Sequence, residues 1–401
     1  MSAFVAEHLS IDEAQRAVLD RVRPLPAERV ALGRAAGRVL AAAARAVVDL
    51  PPFPSSAMDG FALRSADTPG SLPVVAEVAA GRPSDRPLEP GEAMRISTGG
   101  VVPEGADAVV PLEQAGELDG RISVAEGVKA GAHVRPRGGD VAAGDVVVPP
   151  GTRLGPAQIG ALAAAGLGEV ECARRPRVAV LTTGSELRSA GEELSYGEIY
   201  ESNRPLLAAA LRRAGAEVEL LPSARDDETA HRAGIERGLE ADVLVTSGGV
   251  SVGQHDLVRG VGAELGVEEV FWRVAVKPGK PVWFGVRDST LVFGLPGNPV
   301  STLVGAELFV APALRALQGA EAPLPVLRPG RLTTALRRSS ARDELVRARS
   351  RVGADAVEVE PVPGQDSHMI ARAAAADVLV LVPRGEGELP AGSQVRYLEI
   401  S

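Results

Sequence analysis

The chain has 401 residues, with 43 Lys and Arg against 52 Asp and Glu, a net charge of −9. A prior of roughly 150 residues per domain allows two to four domains, and the acidic balance argues against a nucleic-acid-binding protein, which would carry a basic stripe. A single cysteine, Cys172, excludes a disulfide framework and any cysteine-built zinc site.

Ser10 with Glu13 three residues later predicts a capping box opening a helix. Its apolar face is Ile11, Ala14, Val18, Leu19 and Val22, and Pro24 and Pro26 end it. A second, Ala-rich helix is expected over roughly 31–44. From about 51 to 150 short strands crowd between Gly and Pro turns (VVAEVAAG, EAMRISTGG, DAVVPLEQ, RISVAEG, DVVVPPG), which predicts a small all-β domain. A helical stretch at 155–168 can return to pack beside the first helices, so a discontinuous domain is expected. Between 176 and 319 the apolar runs VAVLTT, VEVELL, ADVLVTSGG and TLVFGLPG alternate with helical stretches at 205–214 and 227–239. That alternation predicts βαβ units and a parallel sheet covered on both faces. After residue 323 the pattern is β-type to the end. Aromatics are only 3% of the chain, so the cores are expected to be Val, Leu, Ile and Ala. No apolar run is expected to reach the roughly 18 residues a membrane span needs, and the first residues lack a basic leader region, so a cytoplasmic protein with no membrane partner is expected.

Ligands of open α/β sheets bind beyond the carboxyl ends of the strands. Three runs deliver small hydroxyl residues and glycines there: Thr182–Glu186, Thr246–Ser251 and Gly294–Pro299. Backbone N–H groups in such loops suit an anion, although Gly and Ser equally suit tight strand-to-helix turns. Glu186, Asp226, Asp227 and Asp256 accompany the loops. Carboxylates beside a phosphate cradle suit hydrated Mg²⁺, and Asp226 or Asp227 equally suits a helix cap. The run Arg273–Pro281 (RVAVKPGKP) places three cations around a Pro-Gly turn among apolar residues, a setting that calls for an anionic partner. Asp59 in SSAMDG and Thr98 in STGG read by themselves as turn residues. The five histidines show no metal-ligand spacing, and no GxSxG elbow or Walker A loop occurs.

Taken together, SAMDGFALR, STGGVVPEGADAVVPLE, LTTGSEL, TSGGVSVGQHD, FWRVAVKPGKPVWFG and GLPGNPVS closely resemble the molybdopterin molybdenumtransferase family, that of bacterial MoeA and the E domain of gephyrin. The resemblance spans essentially the whole chain. It implies a multidomain α/β plus β architecture: an elongated helical N-terminal domain (1–46 and 146–172), an inserted small β domain (47–145), a molybdopterin-binding α/β sheet domain (173–322) and a C-terminal β-barrel-like domain (323–401). It also implies a homodimer with a site shared between the α/β domain of one subunit and the β insert of the other. The implied reaction inserts molybdate into adenylated molybdopterin, with AMP release and Mg²⁺ support.

Carried over by motif, the catalytic set would be Asp59, Thr98, Asp140, Glu186, Asp226 and Asp256, with Glu186, Asp226 and Asp256 toward Mg²⁺. Ser247, Gly248, Gly249, Ser251, Arg273, Lys277, Lys280, Pro296, Asn298 and Pro299 would bind substrate, with Arg342 and Ser367 approaching from the C-terminal domain. Molybdopterin-supplying proteins and apo-molybdoenzymes are the implied partners. The chain departs from the family at Gly139, where Glu commonly precedes Asp140, at Asp366, where Gly is usual, and in ARDELVRA, which lacks an aromatic. Two other readings stay open: a molybdopterin adenylyltransferase-like or nucleotide-hydrolysing relative of the same α/β domain, and a non-catalytic scaffold.

Overall fold

The computed structural model describes residues 8–250 and 257–400. Its largest core surrounds a six-stranded sheet ordered Glu217–Leu220, Arg177–Thr182, Val243–Ser247, Thr290–Leu295, Trp283–Arg287, Glu268–Trp272. The first four strands are parallel. The last two run antiparallel, so the sheet is mixed rather than wholly parallel. The reason is local: Trp283–Arg287 and Thr290–Leu295 are joined by two residues, Asp288 (φ 52°) and Ser289, and only a hairpin closes so short a link.

Along Arg177–Thr182, Val178 and Val180 pack into one buried cluster while Ala179 and Leu181 pack into another. Both faces are dry, which is why the run reads as continuously apolar. One face is covered by Asn203–Arg213, by Ile11–Leu19 and by a helix running from Pro299 to Leu317; Glu228–Gly238 and Leu257–Glu264 cover the other. The 19-residue helix from Pro299 to Leu317 is long and apolar enough to cross a membrane, but 83% of its hydrophobic window is buried inside the protein. It carries a π-turn at Ala306–Val310 and then Pro312. Proline has no N–H for the carbonyl four residues back, and the Gln15 side chain donates to that carbonyl, Leu308 O, at 2.9 Å.

The capping box at Ser10 is formed in both directions, Glu13 N to Ser10 Oγ at 3.2 Å and Ser10 N to Glu13 Oε2 at 2.8 Å. Its helix buries Ile11, Ala14 and Val18 against the α/β sheet. The expected helix over 31–44 does not form. That stretch holds one short 3-10 turn, Leu32–Arg34, and then runs extended, bridging Val39 to Arg153 and Leu40 to Cys172. Gly33 and Gly37 (φ 76°) break helical propensity there. Ala27–Ala31 pairs with Glu169–Ala173, and Ala44–Arg45 with Val146–Val148, so chain segments more than a hundred residues apart share one small core.

Between them lies a six-stranded sheet ordered Ala108–Pro111, Gly60–Leu63, Ala93–Ile96, Gly70–Val78, Arg121–Val124, Ala115–Leu118. Gly60–Leu63 sits inside this sheet because Gly60 lets Val110 O approach where a Cβ would lie 2.0 Å away. At the C-terminus Asp343–Val352, Val357–Pro361, Arg328–Leu332, Gln394–Glu399 and Val378–Val382 pair in a ring that closes on its first strand. A further two-residue strand from the α/β unit, Val276–Lys277, adds in parallel to the edge of Asp343–Val352.

Candidate active site

Two clefts meet at the carboxyl ends of the parallel strands. The first, about 650 Å³, is lined by the expected Glu186, Asp226, Ser247, Gly248, Gly249, Pro296, Asn298 and Pro299. The second, about 450 Å³, is lined by Lys277, Lys280, Arg342 and Ser367. Pro281, Pro296, Asn298 and His368 border both, so they form one groove. The first half is acidic, with Glu186, Glu201 and Asp226, and the second carries Lys277, Lys280 and Arg342 with Asp366.

The three strand-end loops are cross-linked. Asn203 Nδ2 donates to Ser247 Oγ (2.9 Å) and Gly297 O (2.7 Å), while Ser247 Oγ donates to Pro296 O (3.2 Å). Gly248 turns at φ 96°, and a Cβ there would lie 2.6 Å from Thr183 Oγ1, so only glycine lets the loop close over that strand end. Asp226 accepts from Ser185 N (3.0 Å), and its own N–H donates to Ser185 Oγ (3.1 Å), which joins the Glu186 loop to the Asp226 loop. The helix cap is Asp227, which accepts from Ala230 N at 2.8 Å. Asp226 is thereby left facing the cleft. Beneath, His231 is buried, and burial pushes its imidazole below the usual range despite Asp226 and Asp227 nearby.

In the basic half, Lys277 Nζ lies 3.1 Å from Glu344 Oε1 on the barrel strand that Val276–Lys277 extends. Ser367 Oγ accepts from Asn298 Nδ2 (2.8 Å), and Ser367 O accepts from Val300 N (3.1 Å) at the start of the long helix. Arg347 holds that barrel loop in place. It is 1% exposed, and its guanidinium donates to Met369 O and Gly364 O at 2.7 Å each and to Asp366 O at 3.2 Å.

Not all the expected residues gather in this groove. Asp59 and Thr98 meet each other, Thr98 N and Oγ1 donating to Asp59 Oδ1 at 2.6 and 2.9 Å, and they line neither cleft. Those hydrogen bonds hold the Asp59 carboxyl below its usual range. Asp140 lies at the same end of the β unit: its N–H donates to Leu50 O, and the neighbouring Val134–Arg135 pairs with Ser55–Ser56. Arg273, at φ 79°, stacks on Trp272 at 3.8 Å and lines neither cleft. Its guanidinium is instead taken up by the Trp272 ring. Ser251 and Asp256 lie outside the described residues.

Asn203, Tyr200, His368, Glu344 and Arg347 were not singled out by sequence. Asn203 was within reach, since an Asn opening a predicted helix in the α/β region is a signal. Arg347 was not, because a stretch carrying four arginines between 342 and 351 offers no way to tell the buried one.

For Mg²⁺, the donors fit in kind: Glu186 and Asp226 offer exposed carboxylate oxygens on one cleft. Among the described residues no group of three His, Cys, Asp or Glu side chains is placed to hold a metal alone. Two carboxylates completed by substrate oxygens and water are the usual Mg²⁺ arrangement.

A doubly covered α/β sheet whose strand ends open on a bipolar groove, bordered by the β-barrel, defines a ligand-binding α/β fold. Its lineage is specific. Residues 9–166 match the MoeA N-terminal region (domain I and II), 179–316 the probable molybdopterin binding domain, and 329–400 the MoeA C-terminal region (domain IV). The chain is 38% identical to molybdopterin molybdenumtransferase 2 of Mycobacterium tuberculosis, over 98% of this chain and 100% of that protein. It is 35% identical to molybdopterin molybdenumtransferase of Haemophilus influenzae, over 96% and 97%. The molybdopterin biosynthesis MoeA protein of Pyrococcus horikoshii superposes with a TM-score of 0.86 at 28% identity, covering 98% of this chain and 100% of that one. The chain belongs to the MoeA family.

Proposed function

We propose that this protein is a molybdopterin molybdenumtransferase, inserting molybdate into the dithiolene of adenylated molybdopterin with release of AMP. The observation that carries the reading is the single groove with carboxylates at one end and lysines at the other. Molybdate is a dianion and the substrate carries a phosphoanhydride, so one molecule presents charges that both ends must manage. Lys277 and Lys280, with the strand-end N–H groups, neutralise the oxyanion in a partly desolvated cleft. Glu186 and Asp226 are the described residues that would hold Mg²⁺, with Asp256 the third expected ligand; when bound, that ion polarises the anhydride. Asn203 orients the substrate by fixing two loops against one another, and no protein nucleophile is required.

Asp59, Thr98 and Asp140 complete the site from the β unit of a second copy in a homodimer. Two half-sites that line no common cleft in one chain support this reading. The expected setting is the cytoplasm, with molybdopterin-supplying proteins and apo-molybdoenzymes as transient partners. The deciding experiment mixes the protein with adenylated molybdopterin, Mg²⁺ and molybdate. AMP release together with reconstitution of an apo-molybdoenzyme is expected. Tight substrate binding without AMP release would instead favour a scaffold.

A further inference from the structure

Aromatic side chains make up 3% of this chain, and most are spent on cores: Phe61, Phe271, Phe284, Phe293, Phe309, Trp283 and Tyr397 are buried. Tyr200 is the one Phe, Tyr or Trp that lines either half of the groove among the described residues. It stays 48% exposed, beside Ile199 at 53% on the same wall. Its position is nevertheless fixed. The hydroxyl donates to Glu192 O at 2.8 Å, Ile199–Tyr200 pairs in parallel with Leu187–Arg188, and Glu201 N donates to Arg188 O at 2.8 Å. Among the described residues neither another ring nor a guanidinium stacks on it. The ring is anchored by its edge and left open, an arrangement that costs exposed apolar surface unless a ligand covers it.

We propose that Tyr200 is the stacking platform for a fused nitrogen heterocycle of the substrate. The inference rests on the function proposed above, in which the substrate carries two such rings, a pterin and an adenine. Either is a flat π system of the size that an exposed tyrosine holds by stacking. With one ring seated at Tyr200, in the acidic half, the remainder of the molecule lies along the groove toward Lys277 and Lys280.

The test compares Tyr200→Leu, which keeps apolar bulk without a π face, with Tyr200→Phe, which keeps the face without the hydroxyl. Dissociation constants for adenylated molybdopterin are read by pterin fluorescence in the full-length protein, with oligomeric state checked by light scattering. Tyr200→Leu should bind about tenfold or more weakly, as loss of an aromatic stacking partner does, while Tyr200→Phe stays close to the parent. Competition with AMP and with 6-hydroxymethylpterin then distinguishes the rings: the competitor whose affinity falls in Tyr200→Leu is the one seated there. Parent-like binding by Tyr200→Leu would overturn the proposal, as would equal losses in both variants or a change of oligomeric state in Tyr200→Leu. The two readings separate cleanly. Parent protein that releases AMP while Tyr200→Leu binds normally rejects only the platform, whereas ring-dependent binding without AMP release rejects only the transfer reaction.

Discussion

Replacing Arg347 by Lys isolates the role of one buried guanidinium. Arg347 is 1% exposed, and its guanidinium donates to the carbonyls of Gly364, Asp366 and Met369. Gln365 closes the arrangement, its Oε1 accepting from Arg347 N (3.0 Å) and its Nε2 donating to Arg347 O (2.9 Å). An ammonium is a point donor and cannot span three carbonyls that a planar fork reaches. At least one charge-assisted hydrogen bond is lost, at roughly 1.5–3 kcal/mol. A loss of about 2 kcal/mol corresponds to about thirtyfold in a local opening equilibrium. The reporter is the Val300 amide, which donates to Ser367 O across the joint between barrel and long helix. Hydrogen exchange at Val300 should accelerate by about that factor, while Val245 in the central strand of the α/β sheet is unchanged. Molybdate dependence should shift to higher concentration, because Ser367 belongs to the loop released. Unchanged Val300 protection in a folded Arg347→Lys protein would refute the argument.

Glu344→Gln frees Lys277 from its 3.1 Å partner; since Lys277 is largely exposed, AMP release should need only about two- to fivefold less molybdate, and an unchanged requirement would show that the pair does not compete with the oxyanion. Thr98→Val removes the side-chain hydrogen bond that helps hold the Asp59 carboxyl below its usual range. The lowered folded-state value means that the ionised form favours the fold above the unfolded-state value and that this contribution fades as pH falls through the folded one; an NMR titration of Asp59 should therefore shift upward in the variant. Mixing Asp59→Asn protein with Asp226→Asn protein should restore AMP release in part of the heterodimers, and a monomer by light scattering at micromolar concentration would contradict the shared site.

Local signals carried much of the fold. The Ser10–Glu13 box, the apolar strands of the α/β sheet and the closely spaced β segments all depend on neighbours in sequence, and they form where expected. The helix expected over 31–44 does not form because Gly33 and Gly37 offset its alanine content, and the distant strand Glu169–Ala173 supplies pairing partners that no local pattern discloses. The antiparallel edge was legible in the two-residue link at Asp288 and Ser289, though the alternation of strands and helices masked it. The motif resemblance named most of the groove: Glu186, Asp226, Ser247, Lys277, Lys280, Asn298 and Ser367 line it. It did not disclose what those residues are held by. Glu344 and Asn203 act through contacts that span 67 and 44 or more residues, and Arg347 through carbonyls 17 to 22 residues away; such partners appear only once the chain is folded.

The joint between the barrel and the α/β sheet is itself part of the site. Val276–Lys277 leaves the α/β unit to become an edge strand of the barrel, with Lys277 opposite Glu344. Three residues later the chain is back on the sheet, Lys280 O accepting from Val274 N and Val282 N at 3.0 Å each. Lys277 is thus paired to a barrel strand, while the Lys280 carbonyl is held by Val274 and Val282. From the barrel, Ser367 O accepts from Val300 N. That carbonyl now meets the positive end of the long helix, a place where an anion is otherwise favoured. In the proposed function a substrate anion would compete with Ser367 for that helix end. An oxyanion engaging both lysines while Ser367 occupies it would sit on the Lys277–Lys280 side of Asn298, with the acidic half left for the anhydride.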